Sequence, residues 1–415
     1  MLFLFIISCS VNEELDFNET ANENNSEKHL RNLKNDERPN IIVSDTELII
    51  QFNENISDAE KNNIRSENNI SEYEVCNCTD GSIEKWSFGS IEDKKILYNA
   101  SESGGIEEIK NVDLESSFHK ESQDPPFVIN SSFMNYQDVI SQNQYGVTIA
   151  VLDTGIDVNY PGFIGLYLYD ASGTMNGNNT NLPNQISGWD YVNEQDDTHD
   201  DHSGIHGTKV SYIIHEKLIN DDIPHRLLPI KVADNHGKIS AFNLICGTKN
   251  AVEFADIINM SLGYYSNAKD VRSIIMEDII SNNPEILFVT SAGNQDEDND
   301  NNTHYPSCYS QGNVVAIAAA NEDGDGKASF SNYGVESVDF YALGENIPFL
   351  DYNTETENFI SGTSFAAPYV SAIAAGLLFN SGMTLDPKEI IQKLDSKGIL
   401  IPQDQELIKY GKIIE

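Results

Sequence analysis

The chain has 415 residues, enough for one large α/β domain with a smaller companion. Its 25 Lys and Arg stand against 66 Asp and Glu, and the resulting charge of −41 excludes a nucleic-acid binder and favours cationic ligands or substrates. Five cysteines (Cys9, Cys76, Cys78, Cys246 and Cys308) are odd in number and lack zinc spacing, so they read as neither a disulfide framework nor a metal knuckle.

The first residues, MLFLFIISCSVNEE, are apolar from Leu2 to Ile7, a run too short to span a bilayer. Ile6-Ile7-Ser8-Cys9 resembles the lipobox of bacterial lipoproteins. That resemblance implies a truncated or atypical lipoprotein-type signal over residues 1–9, and a membrane link only through a lipid on Cys9; a ragged apolar terminus is the alternative. Residues 10–39, rich in Asn, Glu and Asp with almost no aromatic or β-branched content, predict a disordered acidic linker.

Residues 40–121 change character. ELIIQFN alternates as a strand does, SDAEKNNIRSE opens with a Ser57-x-x-Glu60 capping box, and EYEVCNC, IEKWSF and KILYNA read as further strands. Together they predict a small α+β module. Cys76 and Cys78 read as strand neighbours or a local pair, and Cys246 and Cys308 as small buried hydrophobes.

A second domain is expected over residues 122–415, after the Pro125-Pro126 break. Apolar runs of strand length (VTIAVLD, LLPIKVAD, ADIINMSLG, EILFVTSAGN, NVVAIAAAN, VDFYAL) alternate with helical segments, as in a mostly parallel sheet covered by helices on both faces. Sites in such α/β folds form at the carboxyl ends of the strands. Here Asp153 ends VTIAVLD, Asn294 follows EILFVTSAG, His206 precedes a helix in DDHSGIHGTKVSYII, and Ser364 stands at a helix start in SGTSFAAP.

Each of these alone has a plain structural reading: turn acid, helix cap, left-handed turn residue, cap. Jointly they are the parts of acyl transfer. A serine hydroxyl needs an adjacent base to act as a nucleophile near neutral pH, and histidine titrates in the right range. Asp153 would fix the imidazole tautomer of His206, and the Asn294 amide with the Ser364 N–H would meet the developing oxyanion.

The motifs D-T-G-I-D, H-G-T-x-V, N-M-S-L-G, A-G-N, A-S-F-S-N-Y-G and G-T-S-F-A-A-P, in that order from about Gln123 to Leu394, resemble the subtilisin-like serine peptidases, or subtilases. The resemblance implies a subtilisin-like α/β fold and a serine endopeptidase acting on polypeptides through an acyl-enzyme, with no cofactor for the chemistry. It also implies main-chain pairing of substrate with Ser261-Leu262-Gly263, with Tyr264 and Tyr265 narrowing the groove. The 40–121 module stands where the family carries an inhibitory prodomain, which implies an exported zymogen (extracellular, periplasmic or lipid-anchored) cut near Lys120-Glu121. Leader-processing peptidases of the lantibiotic type belong to the same family and are the alternative within it; an inactive pseudopeptidase used as a binding module is the alternative outside it.

Three departures from the family pattern stand out. Lys209 replaces a second, non-catalytic histidine, and Gly162 replaces the usual calcium-binding acid after D-T-G-I-D. In GWDYVNEQDDTHDD, Asp190, Asn193, Asp196, Asp197 and Asp200 supply hard oxygen donors of the kind that bind calcium, while the same residues also read as a solvated acidic loop. Asp296, Glu297 and Asp298 follow the oxyanion asparagine, and a preference for Lys or Arg before the scissile bond would follow if they face that pocket.

Overall fold

Alternating and continuous apolar strands build two large sheets among the described residues, beside two small two-stranded ones. The computed structural model describes residues 41–77, 79–102, 106–120, 146–163, 166, 168–169, 188–266, 272–351 and 356–415, and residues 38–415 form one compact unit. The signal and linker expected over 1–39, Cys9, Cys78 and Glu121 lie outside the described residues.

The N-terminal module holds β1 (Ile42–Phe52), α1 (Asp58–Glu67), β2 (Glu72–Val75), β3 (Ile83–Ser87), α2 (Ile91–Glu102) and β4 (Ile109–His119). The Ser57/Glu60 capping box forms as expected at α1. Alternation on β1 divides its side chains between two cores. Leu48, Ile50 and Phe52 pack with Trp86, Ile64 and Leu97 under the module's own helices, whereas Ile49 turns the other way into the large core of the second domain.

KILYNA is a helix, not a strand: residues 95–100 lie within α2. The signal was one turn upstream, where Ser90 Oγ accepts from Asp93 N as a helix cap, and the buried Lys94 and Leu97 with the packed Tyr98 recur at helical spacing.

The second domain contributes β5 (Val147–Asp153), β6 (Trp189–Asp190), α3 (His206–Asn220), β7 (His225–Lys231), β8 (Lys238–Ser240), α4 (Ala241–Ala251), β9 (Ile257–Met260), β10 (Tyr264–Tyr265), α5 (Ile274–Asn282), β11 (Leu287–Ser291) and β12 (His304–Tyr305). It closes with β13 (Val314–Ala320), β14 (Phe340–Leu343), β15 (Ile347–Asp351), β16 (Thr356–Ile360), α6 (Thr363–Asn380), α7 (Pro387–Lys397), β17 (Ile399–Leu400) and β18 (Lys412–Ile413). Its nine-stranded sheet has the order β17-β18-β14-β13-β11-β9-β5-β7-β6, and every pairing is parallel except β17 with β18. Helices α3 and α6 pack together over β5 and its neighbours, while α4 contacts β5, β7 and α5. Helix α6 is long and apolar enough to cross a membrane by length and composition, but it is mostly buried, and small residues (Ala366, Ala367, Ser371, Ala374, Ala375) let the strands approach it closely.

Two features join the module to the second domain. β8 adds to the module's antiparallel sheet, in the order β2-β3-β1-β4-β8, with Phe118 opposite Ile239. In addition, Cys76 and Cys246 form a disulfide between the end of β2 and α4, which corrects the reading of Cys76 as a strand residue or a local partner of Cys78 and of Cys246 as a small buried hydrophobe. The partners are 170 residues apart, so spacing along the chain carried no sign of the bond. Cys308 is a free, half-buried thiol.

Candidate active site

Every residue of β5 is buried, and the strand ends on the Asp153 carboxylate. Two glycines let the following turn fold back onto helix α3: a Cβ on Gly155 (φ +110°) would lie 2.4 Å from Thr198 O, and one on Gly207 would lie 2.2 Å from Gly155 O. Ile205, just before the helix, has φ 42°, a left-handed conformation that strains a β-branched residue. The outcome is a buried pair in which His206 Nδ1 lies 2.7 and 2.9 Å from the two carboxylate oxygens of Asp153. Thr154 braces it: its N–H donates to Asp153 Oδ1, and its hydroxyl accepts from Gly207 N.

Burial opposes ionisation of Asp153, but the His206 imidazole, the Lys120 ammonium and the Thr154 N–H outweigh it and hold the carboxyl below its usual range. An ionised Asp153 is acceptor-only, so Nδ1 is the protonated, donating nitrogen of this contact. Nε2 is buried and hydrogen-bonds to none of the described residues.

Ser364 is the second residue of α6, so it is not the cap; the N-cap is Gly362, with φ 153°. Its hydroxyl donates to Ser261 O at 3.2 Å, while Ser261 Oγ donates to Ser364 O at 2.7 Å. Behind this pair Asn259 donates to Ser261 Oγ and accepts from Ser371 Oγ on α6. Sequence reasoning passed over Asn259, Ser371 and Thr363; the signal for Asn259 was a lone amide inside an otherwise apolar strand.

Asn294 lies beside the same helix start. Its Oδ1 accepts from Thr363 N at 2.8 Å and from Thr363 Oγ1 at 3.0 Å, which leaves Nδ2 as the donor end of the amide. Thr363 Oγ1 also accepts from Gly293 N, so one threonine fixes both the asparagine and the turn before it.

The module enters this site. Lys120 N donates to Gly237 O, extending the β4–β8 pairing by one residue, and the buried Lys120 side chain is close enough for its charge to act on Asp153. Phe118 is buried with its ring 4.7 Å from that of Tyr264, in a cluster with Ile239, Phe242 and Leu262. Of the two tyrosines, Tyr264 is the one that packs against Phe118. Tyr265 turns away, donating to Gln295 and accepting from Asn332. Gly263 could not be larger, because a Cβ would lie 2.2 Å from Cε1 of His304.

The acidic loops are engaged elsewhere. Asp190 accepts from Val192 N, Asn193 N and Asn193 Nδ2, and Asp197 accepts from His199 N. Asp200 accepts from the Thr208 N–H and hydroxyl, so Asp190 and Asp200 cap their own surroundings. Asp196 is half-buried in the same loop. Among the described residues no three His, Cys, Asp or Glu side chains are grouped to hold a metal ion. Gly162 has a packing reason: a Cβ there would lie 2.5 Å from both the Tyr160 and Tyr212 rings. The buried Lys209 has its Nζ 5.7 Å from the Phe349 ring, outside the triad. Asp296 pairs with Lys327 at 2.7 Å, and Asp298 accepts from Asp300 N and Asn301 Nδ2.

Residues 144–394 match the family model of the subtilases, Peptidase_S8, a stretch that contains Asp153, His206, Asn294 and Ser364. The chain belongs to the subtilase family. Its relatives include Subtilisin-like protease 5 of Arthroderma gypseum, 30% identical over 249 residues (58% of this chain, 54% of the relative). Subtilisin-like protease 6 of Trichophyton tonsurans is 32% identical over 247 residues (56% and 52%), and the Thermophilic serine proteinase of Bacillus sp. strain AK1 is 28% identical over 295 residues (68% and 64%). This subtilase spans about half the length of the first of these relatives. A cold adapted subtilisin-like serine proteinase superposes with a TM-score of 0.51 at 23% identity, covering 70% of this chain and 94% of its own. A lanthipeptide protease superposes with 0.52 at 20% identity, covering 65% and 85%. At these identities the likeness is one of fold, and the fold is subtilisin-like: a largely parallel sheet with packed helices.

Proposed function

We propose that this subtilase is an exported serine endopeptidase in which Ser364 attacks the peptide carbonyl, His206 takes the serine proton, and Asp153 holds the imidazole and stabilises its charged form. The observation that carries the reading is the buried His206 Nδ1 on both oxygens of Asp153, with the Ser364 start of α6 held in the same domain. In the arrangement described, the serine hydroxyl points to Ser261 O. Rotation about its Cα–Cβ bond would turn it toward Nε2 once substrate is bound, since catalytic hydrogen bonds tighten in the Michaelis complex. Asn294 Nδ2 and the Ser364 N–H, at the positive end of α6, would receive the oxyanion.

Residues 40–121 act, in this reading, as an inhibitory prodomain whose last strand occupies the substrate groove. Support comes from β4 lying on β8, Phe118 filling an apolar subsite against Tyr264, and Lys120 reaching the neighbourhood of Asp153. A substrate strand would replace β4 there and pair with Ser261–Gly263 on its other side. Maturation would cut the chain just after β4, near Lys120-Glu121. A buried disulfide fits export to an oxidising compartment. The Lys or Arg preference is not carried forward, because Lys327 already neutralises Asp296 and the loop's own N–H groups occupy Asp298. Calcium is not carried forward either, for the corresponding reason at Asp190 and Asp200.

A substrate-profiling digest with the purified protein beside Ser364→Ala tests the reading. Cleavage by the wild type alone is expected; identical profiles for both would overturn it. Digestion of unrelated unfolded proteins would mark a general endopeptidase, and cleavage confined to one class of leader peptide would mark the leader-processing alternative.

A further inference from the structure

The contacts between module and catalytic domain include one that cutting the chain does not release. Cys76 lies just after β2, Cys246 lies in α4, and the bond between them spans the module boundary. Every cut made between residues 121 and 145 therefore leaves two polypeptides joined by one covalent bond. Around that bond, Tyr191 Oη donates to Asn77 O, Asn77 Nδ2 donates to Glu194, and Lys249 pairs with Asp80 at 3.3 Å. Further along, Glu115 accepts from Phe242 N at the start of α4, and Asp113 accepts from Ile274 N and Ile275 N at the start of α5. Both carboxyl groups thus accept from N–H groups at helix N-termini of the other domain that have no partner within their own helix.

We propose that the Cys76–Cys246 disulfide keeps the cut module on the catalytic domain, so that this subtilase becomes active only when a dithiol reductant breaks the bond. The proposal rests on the reading of the module as an inhibitor. Its physical basis is effective concentration. A tethered module faces its groove at roughly millimolar local concentration whatever the protein's dilution. A free module with micromolar affinity would leave at nanomolar protein, and the tethered one would not. Reduction is balanced by the dithiol: one of its thiolates attacks a cystine sulfur, its second sulfur displaces the mixed disulfide, and Cys76 and Cys246 leave as two thiols beside an oxidised cyclic disulfide. Both half-cystines are buried, with exposures of 3% and 0%, so the attack must follow a local opening of their surroundings.

The test uses the full-length chain in two forms: the wild type, and Ser364→Ala carrying an unrelated protease's site inserted between residues 125 and 140, so that the tether is read without the chain's own activity. Each is cut, then compared by intact mass and by electrophoresis with and without a dithiol. One joined species is expected without reductant and two pieces with it, while wild-type peptide hydrolysis at nanomolar enzyme rises on the order of 10²–10³-fold on reduction. The double variant Cys76→Ser, Cys246→Ser should need no reductant. Pieces that separate without reductant, or Cys76 and Cys246 thiols that alkylate before reduction, overturn the proposal. So does a wild type that hydrolyses peptide at the same measurable rate before and after the pieces part. A chain that parts on reduction and yet hydrolyses no peptide supports the tether and refutes the peptidase reading instead.

Discussion

Replacing Asp153 by Asn changes one atom and two properties of the His206 site. The carboxylate accepts from Nδ1 through both oxygens, at 2.7 and 2.9 Å, in a pair with no solvent exposure. An amide there cannot supply the charge that stabilises the imidazolium. For opposite charges about 4 Å apart at an effective dielectric of about 20, that attraction is about 4 kcal/mol, equivalent to about 10³ in rate. The Asn NH₂ also favours the tautomer protonated on Nε2, which cannot accept the serine proton, and this carries the expected loss in kcat to about 10³–10⁴. KM should change little, because Asp153 is expected to act on the transition state rather than on bound substrate. The assay is hydrolysis of a peptide taken from the digest profile, with kcat and KM separated, beside thermal unfolding of the Ser364→Ala and Asp153→Asn chains. A fall of less than about tenfold with unchanged unfolding would refute the assignment of Asp153.

Asn294→Ala removes the proposed oxyanion donor and both bonds to Thr363, so kcat should fall about 10²–10³-fold with KM nearly constant; a change confined to KM would point to substrate binding instead. Phe118→Ala removes the ring packed on Tyr264, and losing about 3 kcal/mol of burial should weaken the proposed inhibition by the reduced, separated module about 10²-fold; an unchanged inhibition constant would refute the placing of β4 in the substrate groove. Inhibition should also depend on pH. Burial pushes Asp113 up to about 6 and Glu115 up to about 7 in the bound module, so both take up protons more readily there than when free. Their contribution to binding is therefore fully present below the ordinary carboxyl range and is lost as pH rises through about 6 and about 7. The inhibition constant should rise across that window by up to about tenfold per pH unit for each group, and Asp113→Asn should flatten part of the rise. A constant that falls over the same range would contradict the sign.

The family was legible because the signals that carry its motifs are local. A buried parallel strand reads as a continuous apolar run, so VTIAVLD, EILFVTSAGN and NVVAIAAAN located β5, β11 and β13 without reference to their neighbours. Asp153 and Asn294 were then candidates through their place at strand ends, and His206 and Ser364 through theirs at helix starts. The Ser57/Glu60 box worked for the same reason, since both partners lie within one turn. KILYNA carries a weak local signal: its six residues have mixed periodicity, and the helix is marked only by the Ser90–Asp93 cap in front of them.

What only the tertiary structure decided involves partners far apart in the chain. Nothing near Cys76 marks Cys246, and nothing near Phe118 marks Ile239 or Tyr264, because these meetings depend on how two domains share a sheet. Tyr264 and Tyr265 look alike in sequence; strand alternation sends one to Phe118 and the other to Gln295 and Asn332. The acids at 190–200 and 296–298 could be counted but not assigned, since a carboxylate's role depends on which N–H group or ammonium reaches it first. Sequence alone determined which residues could do the chemistry, because strand periodicity and motif order are written in neighbouring positions. The fold decided which of them meet, because those distances are set by packing between segments as much as 227 residues apart.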